Sequence, residues 1–242
     1  MGTQRKLGTH NSMTYLSPNK EKPWMLLAWP LAKCQDLTYQ QQYAFGVRAF
    51  DLRVRFNEET HTLVFAHGIV DFSGVYPKEV LDFLEEKADC VVNMVLENTS
   101  SIGRTQDEQF IAFCKQCEET YKHIQFKGGW AKFPDNDPHV PGGHPVIYSF
   151  KGTSLRIEEK YKQFTELNEM LNEIRQGEKV DLNKLWEAIK VFVNAPLGAA
   201  QKDNKGYWDE WLGNSEKESV CLMMDFVEIG APDSWKVGHS YK

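Results

Sequence analysis

The chain has 242 residues, 41% of them apolar, enough to bury a large core as one domain. Its formal net charge is −6 and it has no Lys/Arg-rich run, which argues against a nucleic-acid partner, because affinity for a phosphate backbone needs a basic face. No apolar run reaches the roughly 18 residues of a membrane-spanning helix and MGTQRKLGTH lacks a signal-peptide core, so a soluble chain is expected, with an export signal removed before residue 1 left open.

LGTHNSMTYL (7–16) sets a histidine among Gly, Thr, Asn and Ser directly after a strand-like segment. PWMLLAWPL (23–31) is an apolar run carrying Trp24 and Trp29. GVRAFDLRVRF (46–56) and TLVFAHG (62–68) read as strands, YPKEVLDFLEEKAD (76–89) as a helix and CVVNMVLEN (90–98) as a strand. In TQDEQFIAFCKQCEETY (105–121), Phe110, Phe113, Cys114, Cys117 and Tyr121 trace a helical apolar stripe. Cys114 and Cys117 therefore read as core thiols and not as a zinc or redox pair, since no second CxxC or paired histidine follows. The Pro/Gly/Asp-rich loop KFPDNDPHVPGG (132–143) precedes strand-like HPVIYSF (144–150), and a charged helical stretch near 156–175 comes next. GYWDEWLG (206–213) reads as an aromatic loop and VCLMMDFVE (220–228) as a last strand. Strands alternating with helices predict a parallel sheet covered by outer helices, an α/β fold.

Period 2 sorts the strand side chains by face. Phe50, Leu52, Val54 and Phe56 share one side, and Asp51, Arg53 and Arg55 the other. Asn93 and Glu97 oppose Cys90, Val92, Met94 and Leu96, while Asp225 opposes Leu222, Met224 and Phe226. Interior charges cost several kcal/mol unless paired, so they form ion pairs or a site. In (β/α)8 barrels the active site lies at the C-terminal strand ends, where Asp51, Arg53, His67, Glu97 and Asp225 all fall. Arg48 and Arg55 read as solvated or structural cations. His10 and His67 share a strand-to-loop setting, and a histidine pair can supply one base and one acid. An arginine beside them can bind a phosphate bidentately. These are the parts for in-line displacement at a phosphodiester. The remaining histidines, His61, His123, His139, His144 and His239, fall in turns, loops or the tail and read as solvated.

GTHNS, GVRAFDLRVRF, FAHG, VVNMVLEN and LMMDFVE, in this order from residue 7 to residue 228, resemble the phosphatidylinositol-specific phospholipase C catalytic (X) domain family, especially its small bacterial members. The resemblance implies a distorted TIM barrel formed by residues 1–242 as a single domain. It implies cleavage of phosphatidylinositol, or of a glycosylated anchor, by attack of the inositol 2-hydroxyl on its own phosphodiester. Diacylglycerol leaves and an inositol 1,2-cyclic phosphate forms. Carried over by residue, His10 is the general base, His67 the general acid, Asp225 the carboxylate orienting His10, and Arg53 the phosphate clamp, with Asp51 beside it. Gly8 and the neighbouring hydroxyls are expected to leave room for the phosphodiester. Lys151 matches a basic inositol contact and equally a solvated strand-end lysine.

Two departures stand out. The bacterial motif reads His-Asp where this chain has His10-Asn11. The calcium-using animal enzymes have His-Asn there, and Asn11, Asp51 and Glu97-Asn98 match their ligand positions. Arg53 stands where their second acid would be, and a guanidinium among calcium ligands repels the ion, so metal independence is the expectation, with Asn11, Glu97 and Lys151 as substrate contacts. Trp24, Trp29, Trp208 and Trp211 are expected at an aromatic rim that meets a phosphatidylinositol-containing membrane surface. A monomer is expected, secreted as small bacterial relatives usually are, or else cytoplasmic. The rivals are a metal-dependent glycerophosphodiester phosphodiesterase, whose His-Arg-Gly, Glu-x-Asp and His-Asp motifs fit poorly, and a silent inositol-lipid binding module.

Overall fold

The computed structural model describes residues 6–23, 25–57, 61–97, 104–127, 169–170, 173, 176, 181–193, 195–213 and 221–239. Trp24, Asn98, His139, His144, Lys151, the 132–143 loop, HPVIYSF and most of 156–175 lie outside them.

The strands are β1 (Lys6–Thr9), β2 (Val47–Asn57), β3 (Thr62–His67), β4 (Val70–Asp71), β5 (Val91–Leu96), β6 (Gln125–Lys127) and β7 (Cys221–Met224). The helices are α1 (Met25–Ala32), α2 (Tyr39–Ala44), α3 (Pro77–Lys87), α4 (Arg104–Thr120), α5 (Leu182–Val193), α6 (Ala195–Gly213) and α7 (Asp233–Gly238). One parallel ribbon runs β7-β1-β2-β5-β6. Phe50, Leu52 and Val54 of β2 are fully buried on the side away from Asp51 and Arg53, as the alternation predicts.

The expected parallel sheet departs from that pattern at β3, which pairs antiparallel with the end of β2 through Val54↔Phe65 to Asn57↔Thr62. The chain between them is too short for a crossover helix, which a parallel partner needs. At Val54 both Phe65 and Leu96 pair, so β3 and β5 lie on opposite edges of β2. At Phe50 both Thr9 and Val92 pair, so β1 and β3 share one edge. Beyond Thr9 the chain leaves that edge and β3 takes it over, which opens a gap beside residues 51–53. The result is a mixed α/β fold around a curled, half-barrel sheet, with β6 and β7 unjoined among the described residues.

Phe110, Cys114 and Cys117 of α4 are buried, as the stripe predicts, and burial pushes the Cys117 thiol up to about 12. GYWDEWLG is the end of helix α6, not a rim loop: Ala200, Asn204 and Trp208, spaced four apart, are each fully buried. Trp208 packs edge-on to Phe45 at 6.1 Å and beside Trp235 at 5.2 Å. Its indole N–H donates to the Val227 carbonyl at 3.1 Å. A residue so enclosed is core, which corrects its expected membrane contact. Arg48 pairs with Asp89 and Arg55 with Asp71, so both are structural cations. No helix among the described residues is long and apolar enough to cross a membrane.

Candidate active site

Parallel pairing brings the C-terminal ends of β7, β1, β2 and β5 to the same side. Thr9 is in register with both Phe50 and Met224, and Asp51 with Asn93. His10 and Asp225, each one residue past its strand, therefore meet although 215 residues separate them.

His10 Nδ1 lies 2.7 Å from Asp225 Oδ1, and Arg53 Nη2 lies 2.8 Å from His10 Nε2. A guanidinium only donates and an ionised carboxylate only accepts. The imidazole is thus neutral with its proton on Nδ1, and Nε2 presents a lone pair toward the cleft. Gln35, fully buried, donates through Nε2 to the His10 carbonyl at 2.9 Å and the Met224 carbonyl at 2.7 Å. Asn204 donates to the carbonyls of Asp225 and Phe226. These amides hold the strand ends that carry the pair.

Asp51 forms the floor. It is fully buried and accepts from the Asn11 backbone N–H at 2.9 Å, Asn93 Nδ2 at 2.8 Å and Arg53 Nε at 3.0 Å. Burial alone would push its carboxyl up, but the Arg53 guanidinium and the Asn11 amide hold it below the usual carboxylate range. Burial likewise opposes the charge of Arg53, and Asp51 with Glu97 overcomes it and raises its pKa. Arg53 Nη1 donates to Glu97 Oε2 at 3.3 Å, while Glu97 Oε1 accepts from the Gly68 N–H at 2.7 Å. One N–H on each of Nη1 and Nη2 stays uncommitted in these bonds.

His67, at the end of β3, faces His10 across the gap, with ring centroids 6.4 Å apart. Its Nδ1 lies 2.7 Å from the Ala32 carbonyl, which only accepts, so Nδ1 carries a proton and Nε2 points inward. Asn11 Nδ2 is 3.2 Å from that Nε2. Asn11 has a positive φ of 48°, a region that asparagine tolerates better than most residues, and its buried Oδ1 has no hydrogen-bond partner among the described residues.

The structure thus gathers His10, Asn11, Asp51, Arg53, His67, Glu97 and Asp225 where β1, β3, β5 and β7 end beside the middle of β2. Gly8 serves a different end from the one expected: a methyl there would collide with the Met223 sulfur, so the glycine makes room for the Met223 side chain of the neighbouring strand. The Thr9 and Ser12 hydroxyls are fully buried and bond to each other at 2.8 Å, with Thr9 also donating to Gln42. They support the floor and do not line the cleft. Asn11, Asp51 and Glu97 make a poor calcium set, because the Arg53 guanidinium bridges the two carboxylates that the ion would need.

No family model matches the chain, and no curated protein matches it. Among solved structures, two from work on the modulation of membrane binding by phosphatidylinositol-specific phospholipase C of S. aureus are similar. One is 16% identical over 91% of this chain and 85% of its own, with a TM-score of 0.50. The other is 18% identical over 58% of this chain, with a TM-score of 0.37, and there the chain spans 46% of the neighbour's length. At such identity the likeness is one of architecture: the chain is similar in fold to phosphatidylinositol-specific phospholipase C.

Proposed function

We propose that the protein cleaves phosphatidylinositol-type phosphodiesters by intramolecular attack of the inositol 2-hydroxyl. The observation that carries this reading is the His10–Asp225 pair set against His67, with Arg53 on the strand that pairs with both β1 and β3. The 2-hydroxyl gives its proton to His10 Nε2 as its oxygen bonds to phosphorus. The glycerol oxygen leaves and takes a proton from His67 Nε2. Asp225 stabilises the imidazolium that forms on His10. Arg53 holds the phosphate through its two outer nitrogens, which draws Nη2 off His10 and frees the base only when substrate is present. Asn11 contacts His67 where the bacterial motif has Asp. Its amide, turned about, offers Oδ1 to a protonated His67 but adds no charge. The reading includes a single distorted TIM barrel over residues 1–242, supported by the 91% coverage of this chain in the match at TM-score 0.50. It also includes calcium independence, supported by the Arg53 bridge.

Phosphorus NMR of the products from phosphatidylinositol, with and without EDTA, tests the reading. The expected result is a cyclic phosphate signal of equal growth in both samples. Glycerol phosphate formed only without chelator would move the assignment to a metal-dependent phosphodiesterase, and lipid binding without any product to a silent module.

A lipid surface is the partner this reading requires. Leu26 of α1 is 56% exposed, and α1 packs beside α5, where Leu182 is 73% and Trp186 58% exposed. Ala32, at the end of α1, accepts from His67, so α1 reaches the cleft at its C-terminal end. Lys33 stands over the half-buried Trp29 ring and Lys190 over Trp186, and each also pairs with a neighbouring carboxylate, Asp36 and Glu187 respectively. Trp211 is partly buried against the core. Among the described tryptophans Trp186, and not Trp208, is the exposed one. Leu26→Ala and Trp186→Ala should each weaken partitioning onto phosphatidylinositol vesicles about tenfold, the equivalent of about 1.4 kcal/mol. Partitioning unchanged in both variants would leave the face without a lipid role.

A further inference from the structure

We propose that His10, Asp225 and Cys34 form a binding site for a zinc-class divalent cation that switches the catalytic pair off. A ring nitrogen of His10, a carboxylate oxygen of Asp225 and the Cys34 sulfur all lie within 4.8 Å of one another. Cys34 is held in place by its own backbone: its N–H donates to Thr14 Oγ1 at 2.8 Å and its carbonyl accepts from Phe226 N–H at 2.6 Å. A second observation points the same way. Asn11 is 2% exposed, its Nδ2 lies 3.6 Å from the Cys34 sulfur, and its buried Oδ1 has no hydrogen-bond partner among the described residues. Turned about, the amide presents that oxygen to the cluster as a fourth ligand.

The donor set selects the ion. Thiolate, imidazole and one carboxylate suit zinc and its neighbours, whereas calcium wants oxygen alone. Bonds of about 2.0–2.3 Å to a tetrahedral ion put its ligands roughly 3.3–3.8 Å apart. The 2.7 Å His10–Asp225 pair must open by under about an ångström. Arg53 opposes a cation here, but Asp51 and Glu97 both pair with it and offset its charge, which leaves the Asp225 carboxylate to face the ion. The ion enters past His10, the part-exposed member of the set.

Binding takes the Cys34 S–H proton to solvent as the metal–sulfur bond forms. With the ion on Nδ1, the proton of that nitrogen leaves and Nε2 acquires one, so one proton is released per ion. Nε2 and Arg53 Nη2 are then both donors and their contact breaks. A protonated Nε2 cannot accept a proton from substrate.

The test uses the whole metal-free chain titrated with Co²⁺ and then with Zn²⁺. The expected result is one cobalt per chain with a thiolate-to-cobalt charge-transfer band in the near ultraviolet, displaced by zinc with release of about one proton. Cys34→Ser should abolish the band and weaken zinc binding by more than the roughly 10–100-fold that loss of an outer-shell partner costs. The double variant Cys114→Ser/Cys117→Ser should retain the band. Asp225→Asn, which keeps every thiol, should keep the band with weaker affinity, and it serves if Cys34→Ser fails to fold. A band that survives Cys34→Ser, or no band in the unaltered chain, overturns the site. Inhibition by zinc with recovery in EDTA rests on the phospholipase reading. Absence of any turnover in zinc-free protein would remove that reading and leave the cobalt result standing.

Discussion

Substitution of His10 by alanine is expected to lower turnover of phosphatidylinositol by about 10²–10⁴-fold, the range for loss of a positioned general base. The expectation follows from the tautomer that the surroundings impose. Asp225 fixes the proton on Nδ1 and Arg53 faces the Nε2 lone pair, so the ring is prepared to accept and not to donate. Asp225→Asn tests the same argument from the other side. An asparagine that donates its amide N–H to Nδ1 moves the ring proton to Nε2, so a loss of up to about 10⁴-fold is expected with little change in ring position. The double variant should be no worse than His10→Ala alone, because the two residues act as a unit. Steady-state cleavage of phosphatidylinositol vesicles measures all three. Retained activity in His10→Ala would sink the mechanism.

Arg53→Lys should reduce kcat/KM by about 10²–10³-fold, far more than an exchange of like charges ordinarily costs. The guanidinium joins Asp51, Glu97 and His10 and keeps outer N–H groups for phosphate. A lysine ammonium is a point charge and cannot serve three partners and a bidentate ligand together. Arg53→Ala carries a second consequence, in stability. Asp51 keeps its bonds from Asn11 and Asn93 but loses its cation, and breaking a buried pair costs about 3–5 kcal/mol, here at the lower end. The pH dependence follows from the direction of the Asp51 shift. Its folded pKa is depressed, so its stabilisation is present above the unfolded carboxylate pKa and is lost as pH falls through the folded value. Without Arg53 burial pushes that value up, and acid unfolding should begin at higher pH. Circular dichroism across an acid titration reads this shift separately from activity. An unmoved acid midpoint in Arg53→Ala would mean that the guanidinium does not hold the Asp51 charge.

The strand motifs and most of the cleft were legible in the residues themselves. Alternation in GVRAFDLRVRF placed Asp51 and Arg53 on one face, and the structure puts them 3.0 Å apart. Strand-to-loop signals marked His10 and His67, and the last strand marked Asp225. The supports were not legible. Gln35, Gln42 and Asn204 are polar residues on a turn and on helices, and nothing local distinguishes a buried amide from a solvated one until its carbonyl partners arrive from other strands. Cys34 carried no signal beyond its presence, for the same reason. Taken locally, GYWDEWLG reads as an aromatic rim loop. Only the packing of α6 against Phe45 and Trp235 made Trp208 core.

By itself the sequence determined which side chains share a strand face, because period 2 and period 3.6 are properties of the backbone. It also determined that unpaired charge could not remain inside the sheet. The tertiary structure decided which strands lie side by side and in what direction. That placement brought His10 to Asp225 across 215 residues, turned β3 antiparallel so that His67 faces them, and set Cys34 beside the pair. Long-range pairing depends on the summed burial of the whole sheet, which no local stretch encodes.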